Sequence, residues 1–213
     1  MLALYTYWRS SASYRVRIAL GLKGLEYEPR YIHLLKGEHV TPEYRALNPQ
    51  ARVPTLVHDG RVITQSLAII EYLDEQFPGA ALMPRDPGAR ARVRSLSQLI
   101  SSEIQPMQNI GTTDYLKASL GCDAQEIERW RIDWIERGMQ ALEQRLANEG
   151  ETGEFAHGGT PTMADCCLVP QCYATRRFGV QLEKYPTVAR IEAACVKLDA
   201  FKRAAPEAQG DRS

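Results

Sequence analysis

Apolar positions follow two rhythms along this chain. Up to residue 80 they come in short, frequently broken runs, and beyond it they recur at helical spacing only. Residues 2–7 read as a short strand, followed by a serine-rich turn over 10–13. Residues 14–23 predict a helix, with Val16, Ile18, Ala19, Leu20 and Leu22 apolar, Arg15 and Arg17 set among them, and Gly24 as its stop. Residues 27–34 predict a second strand, in which Pro29 demands an edge position. The runs 53–58 and 61–64, joined by Asp59-Gly60, predict a hairpin. Gln65-Ser66 then opens a helix through Leu67, Ile69, Ile70, Tyr72 and Leu73 to Phe77, closed by Pro78-Gly79.

The remainder reads as helix throughout. Residues 90–108 carry Val93, Leu96, Leu99 and Ile100 at helical spacing, and 127–146 carry Trp130, Trp134, Ile135, Met139, Leu142 and Leu146. Helices over 164–178 and 188–203 follow. The stretch 78–88 is rich in proline and glycine, which suits a linker. The order β-α-β, β-β-α and then helices predicts an α/β domain over 1–80, a linker over 81–87 and an all-α domain over 88–205. The polar stretch 206–213 reads as a loose tail.

Composition narrows the function classes. The 213 residues are 44% hydrophobic and 24% charged, ordinary for a folded globular chain. Lys plus Arg number 26 and Asp plus Glu 26, so no global field draws nucleic acid or an anionic membrane. No apolar run approaches the ~20 residues of a membrane span. The start reaches Trp8-Arg9-Ser10 too early for a signal peptide and lacks a basic leader. The five cysteines are odd in number, lie in the second half and form no C-x-x-C pair. That argues against a disulfide framework or a thiolate metal site and for a reducing cytoplasm. His33, His58 and His157 show no metal-ligand spacing, so no metal is expected.

Four stretches are more specific than composition requires. In Arg9-Ser10-Ser11-Ala12-Ser13-Tyr14-Arg15-Val16-Arg17 the hydroxyls sit between a strand and a helix start. Free N–H groups and the helix dipole there favour an anion. A thiol at such a place has its pKa lowered from ~8.5 to about 3.5–7.5. The chain has no cysteine there, so the thiol would arrive with a ligand; the plain alternative is that Ser10 or Ser11 caps the helix. In Arg52-Val53-Pro54-Thr55-Leu56 the proline is either cis, with Val53 turned outward to pair with an extended peptide, or an ordinary edge proline. Gln65-Ser66 offers Ser66 as an N-cap, or a helix start that holds a carboxylate. Thr162 with Asp165 is a capping-box variant whose role is structural.

Together, and in this order, the four resemble the glutathione transferase superfamily. The block 9–20 is similar to the zeta class in particular, whose pattern is Ser-Ser-Cys with Arg-Val-Arg-Ile-Ala-Leu downstream. Ala46-Leu47-Asn48-Pro49, the block 65–73, Ile104-Gln105-Pro106-Met107-Gln108-Asn109 and Ala164-Asp165 through Val169-Pro170-Gln171 add to the resemblance, which runs from about residue 2 to 206. It implies a thioredoxin-like N-terminal domain with an all-α C-terminal domain, glutathione as cofactor, and a homodimer.

Residue by residue, the resemblance implies that Ser10, with Ser11 beside it, stands near the glutathione sulfur. Val53 would bond the cysteinyl backbone, Gln65 and Ser66 the γ-glutamyl carboxylate, and His39 the glycyl end, with Gln105 and Asn109 lining the same site. Arg9 and Arg177 would take the carboxylates of a dianionic substrate. The implied reaction is cis–trans isomerisation of maleylacetoacetate in aromatic-acid catabolism by addition, rotation and elimination. Maleylpyruvate is the alternative substrate; a histidine before Pro106 and arginines after Asn109 would favour it, and this chain has Gln105, Ile110 and Gly111. A general conjugating transferase, an α-haloacid dehalogenase and a non-catalytic binding module are further alternatives. One departure stands out: the class cysteine after the two serines is Ala12.

Overall fold

The computed structural model describes residues 1–212 and divides into two units, residues 1–83 with 196–213, and residues 84–195. In the first unit the strands β1 (Leu2–Thr6), β2 (Glu28–Tyr31), β3 (Thr55–His58) and β4 (Arg61–Thr64) form a mixed sheet in the order β2-β1-β3-β4. β2 runs parallel to β1, with Leu4 opposite Pro29, and lies at the sheet edge, where a residue without an N–H is tolerated. β3 and β4 are antiparallel. The Asp59-Gly60 turn between them has both φ angles positive, at 48° and 81°. A two-residue hairpin of matching twist requires that conformation.

Helix α1 (Ser11–Leu22) begins three residues earlier than its apolar spacing suggests, because its first turn is built from the serines. It is buried from Ser13 to Leu20, including two arginines that are each 2% exposed. A buried guanidinium needs partners, and Arg17 has four: Nε donates to the Ala204 carbonyl (3.0 Å), Nη1 to Thr6 Oγ1 (3.1 Å) and the Tyr7 carbonyl (3.3 Å), and Nη2 to the Trp8 carbonyl (2.9 Å). Burial pushes Arg17 down to about 10, which leaves it charged at neutral pH. Arg15 Nη1 donates to Ser66 Oγ at 3.2 Å. A short helix that the spacing does not signal, α2 (Pro42–Leu47), precedes β3, and α3 (Ser66–Gln76) follows β4.

The segment after residue 195 belongs to this first unit. Spacing predicts one helix over 188–203, but the chain breaks between α9 (Pro186–Cys195) and α10 (Asp199–Ala204). Gly21 makes room for α10: a Cβ there would stand 3.1 Å from that of Ala200. Residues 206–212 are not the loose tail expected from their polarity, since Pro206–Ala208 forms a helical turn and Asp211 accepts a backbone hydrogen bond. Leu82 and Met83 also hold to this unit, their N–H groups bound to the Asp74 carboxylate at 2.8 and 3.1 Å.

The second unit is helical: α4 (Pro87–Gln98), α5 (Gln105–Gln108), α6 (Ile110–Leu120), α7 (Ala124–Asn148), α8 (Met163–Arg177) and α9. The helix predicted over 90–108 is interrupted by a π-helical turn, Leu99–Ile104, after which Gln105 N–H bonds the Ile100 carbonyl. Pro106 explains the widening, since a proline lacks an N–H and clashes with the carbonyl four residues back. At the start of α8 the buried Asp165 carboxylate accepts from the N–H of Ala156 (2.8 Å), and from the N–H (2.7 Å) and hydroxyl (3.0 Å) of Thr162. The structural role expected of the Thr162 and Asp165 pair is therefore the one it plays. Glu143 of α7 caps α9 from the side, accepting from Thr187 N–H (3.0 Å) and Val188 N–H (2.9 Å).

Candidate functional site

The serine loop leaves β1 at Thr6 and enters α1 at Ser11. Ser10 is the N-cap: its Oγ accepts from Ser13 N–H at 3.2 Å and its N–H donates to the Tyr7 carbonyl at 3.0 Å. Capping uses the oxygen of Ser10 as an acceptor and leaves its hydroxyl hydrogen to donate elsewhere. Beside it, the N–H groups of Ser11 and Ala12 meet no acceptor among the described residues. The two readings of these serines are therefore compatible, because a capped helix start still presents open donors to an anion. The Arg9 guanidinium lies over the Trp8 indole, 5.2 Å from the ring centroid.

A second loop is built just as firmly. Tyr44 Oη donates to the Arg52 carbonyl at 2.6 Å, and Asn48 Nδ2 donates to the same oxygen at 2.8 Å and to Thr55 Oγ1 at 3.1 Å. The Val53–Pro54 bond that follows is cis. Among the described residues neither the N–H nor the C=O of Val53 is hydrogen-bonded, so one residue's worth of strand edge is open there. The Val53 side chain packs with Tyr7 and Tyr44, and Trp8 packs against the same cluster, which ties this loop to the serine loop.

Gln65 adopts φ 70° and ψ 117°, a left-handed conformation unusual for a residue with a Cβ. Its Nε2 donates to Gln50 Oε1 at 2.8 Å. Ser66 is not the N-cap expected from the sequence: Gln65 takes that position, and the Ser66 hydroxyl instead receives Arg15. The N–H groups of Ser66 and Leu67 are without acceptors among the described residues. His39 sits in the turn Glu38–Val40, with its Nδ1 buried and unpartnered. Burial, followed by the charges of Arg52 and Arg45, holds this imidazole below its ordinary value.

In the helical unit, Gln105 opens α5 directly after the π-helical turn. Asn109 is the N-cap of α6, its Oδ1 accepting from Ile110 N–H at 2.8 Å. Arg177 ends α8 with its guanidinium 4.4 Å from the Phe178 ring centroid, and Arg131 covers the same ring at 5.1 Å. These three residues line a pocket of about 390 Å³ together with Glu128. Arg176, next in line, is committed to an ion pair with Glu192. Among the described residues no cluster of metal-ligating side chains occurs, and no helix is long and apolar enough to cross a membrane.

Residues 4–81 match the model of the glutathione S-transferase N-terminal domain, and 124–200 that of the C-terminal domain. The maleylpyruvate isomerase of Ralstonia sp is 47% identical over 208 residues, covering 98% of both chains. The maleylacetoacetate isomerase of Rhizobium meliloti is 47% identical over 204 residues, covering 96% of this chain and 95% of its own. The chain belongs to the glutathione S-transferase family. The crystal structure of maleylacetoacetate isomerase from Methylobacterium extorquens AM1, with bound malonate and GSH, matches this glutathione S-transferase with a TM-score of 0.96 at 39% identity, covering 99% of both chains.

Three residues that hold these loops are given no site role by the sequence. Arg17 lies within the block 9–20 but reads there as one more charge on a helix, Tyr44 lies in a helix the spacing does not predict, and Asp211 lies in an apparent tail. Asn48 is visible in the sequence as part of the block Ala46-Leu47-Asn48-Pro49.

Proposed function

We propose that this protein is a glutathione-dependent cis–trans isomerase of maleyl dicarboxylates, with maleylacetoacetate as its substrate. The observation that carries the reading is the start of α1: a serine cap and two open N–H groups, with alanine where a thiol could have stood. Bound there, glutathione supplies a thiolate that adds to the cis double bond, allows rotation and leaves again. The residues present fit that group. Ser10 hydroxyl and the Ser11 and Ala12 N–H groups hold sulfur as the anion. Val53 offers the cysteinyl unit one donor and one acceptor. Gln65, Ser66 and the open N–H groups of α3 take the γ-glutamyl carboxylate. The buried, unpartnered Nδ1 of His39 serves the glycyl carboxylate. Gln105 and Asn109 of the helical unit contribute to holding the cofactor.

A dianionic substrate needs cations, and Arg9 and Arg177 supply them. The Arg9 guanidinium has no hydrogen-bond partner among the described residues, and Arg177 lines a pocket with Arg131. Ala12 removes a side reaction, mixed-disulfide formation at the class cysteine, without removing the nucleophile. Identity is equal to a maleylpyruvate isomerase and to a maleylacetoacetate isomerase. The choice therefore rests on Gln105, Ile110 and Gly111, where the maleylpyruvate pattern calls for histidine and arginines. We further place the protein in the cytoplasm as a homodimer.

Initial rates on maleylacetoacetate and maleylpyruvate, with and without glutathione, test the reading. Glutathione-dependent turnover with maleylacetoacetate faster is the expected result. Faster turnover of maleylpyruvate would move the enzyme to the other substrate, and no turnover of either by folded protein would overturn the isomerase assignment.

A further inference from the structure

The serine loop is held from a direction that its own sequence does not indicate. Trp8 N–H donates to Asp211 Oδ2 at 2.9 Å, across 203 residues of chain. The carbonyls of Tyr7 and Trp8 are held by Arg17, whose Nε is fixed in turn on the carbonyl of Ala204. Both polar groups of the Trp8 peptide backbone and the Tyr7 carbonyl are thus tied, directly or through one guanidinium, to residues 204–211. Tyr7 is also where Ser10 N–H bonds, so the tie reaches the cap itself. The segment runs close to the sheet, where a Cβ on Gly210 would stand 2.8 Å from the Tyr31 phenol oxygen.

We infer that residues 204–211 form a strap that positions the serine loop, with Asp211 and Arg17 as positioning residues that fix where the Ser10 hydroxyl and the open N–H groups of α1 stand. The catalytic part of this inference rests on the proposed role of that loop in holding the glutathione thiolate. Physically, a carboxylate on a backbone N–H is a charge-assisted bond, stronger than a neutral one. Arg17 cannot move without releasing three carbonyls and a hydroxyl at once. Residues that only filled space would leave the loop backbone free to bond water.

The test compares wild type, Asp211→Ala and Asp211→Asn by backbone hydrogen exchange over residues 7–13 and by steady-state kinetics. Asp211→Ala is expected to speed exchange of the Trp8 amide roughly 10- to 100-fold, the worth of a hydrogen bond to a charged acceptor. Asp211→Asn keeps an acceptor oxygen and recovers part of that protection. In kinetics, Asp211→Ala lowers kcat and moves the acid limb of the pH profile, where the glutathione thiolate forms, to higher pH, whereas a merely stabilising contact would lower only the melting temperature. Wild-type exchange at Trp8 in Asp211→Ala overturns the strap, and a loosened loop with unchanged kcat and pH profile overturns its positioning role. Should Asp211→Ala fail to fold, Asp211→Asn is read alone, and wild-type exchange and kinetics there overturn the need for the charge. If wild type itself shows no glutathione-dependent turnover, the proposed function falls, and the exchange data still decide the strap.

Discussion

Tyr44 and Asn48, one helical turn apart around the end of α2, donate to a single oxygen, the carbonyl of Arg52, at 2.6 and 2.8 Å. Both also reach Thr55, with the phenol oxygen and the hydroxyl 2.9 Å apart. That double anchor sets the peptide immediately before Val53, whose own polar groups are open. Tyr44→Phe removes one donor and leaves the other, so it costs about 1 kcal/mol. Asn48→Ala costs more, about 1–3 kcal/mol, because it takes a donor from the Arg52 carbonyl and from the buried Thr55 hydroxyl and also releases the Gln50 N–H. On the proposed bonding of the cysteinyl unit by Val53, both substitutions are expected to raise the KM for glutathione several-fold and spare kcat. Steady-state kinetics that showed the loss in kcat alone would remove Val53 from the binding site.

Ser10 does two things at once, and its substitution separates it from Ser11. Ser10→Ala loses a cap, about 0.5–2 kcal/mol of stability, and loses the hydroxyl that the proposed function assigns to the glutathione sulfur. A hydrogen bond to a charged acceptor contributes about 1.5–3 kcal/mol, so turnover falls roughly 10- to 100-fold. Ser11 stands at the first helical position and contributes its N–H, which alanine keeps. Ser11→Ala is therefore the milder change in both melting temperature and kcat. Equal or reversed losses would exchange the roles given to the two serines.

How legible this was in the sequence depends on whether a signal was local. Asp59-Gly60 announced its hairpin, Pro29 its edge strand, and Thr162 with Asp165 its helix start, since each acts over a few residues. Ser10 was readable as a cap or as an anion site, and its geometry serves both. Ser66 has the chemistry of a cap, but its hydroxyl is claimed by Arg15, a contact across 51 residues that no local pattern signals. The contacts of Arg17 and Asp211 are not legible for the same reason, although Arg17 lies within the block 9–20. A buried arginine and a surface one look alike in sequence, and a polar tail gives no sign that a backbone N–H is waiting for its carboxylate. The break after α9 is likewise tertiary, whereas the π-helical turn before Gln105 has a local cause in Pro106 that helical spacing alone does not register.

Gly138 is a close approach rather than a flexible joint. A Cβ there would lie 2.2 Å from Cγ1 of Ile104, whose side chain is only 1% exposed and cannot swing away. Gly138→Ala gains about 1 kcal/mol of helix propensity in α7. Overpacking costs about 1–3 kcal/mol and outweighs that gain. Chemical denaturation is expected to show a net loss. In the double variant with Ile104→Ala the two changes should be less harmful than their sum, because the second removes the atoms the first collides with. A stable, additive Gly138→Ala would mean that the π-helical turn yields freely.

The proposed contact of His39 with the glycyl carboxylate gives cofactor binding a pH dependence. Its imidazole is held below the ordinary value by burial first, then by Arg52 and Arg45, so it is neutral in the free protein at neutral pH. Neutral-form stability of this kind is complete above the unfolded value of about 6.5 and is lost as pH falls through the lower folded value. Binding reverses the sign. A carboxylate brought beside the ring favours its protonation, so the complex takes up protons that the free protein does not. Affinity for S-methylglutathione, which has no thiol to titrate, should therefore rise a few-fold as pH drops from about 7.5 to about 5.5, on either side of the ordinary imidazole value. His39→Gln should flatten that slope while keeping a hydrogen-bond donor. Calorimetric titrations in buffers of different ionisation enthalpy report the proton uptake directly. An unchanged slope in His39→Gln would place the glycyl carboxylate against Arg45 or Arg52 instead.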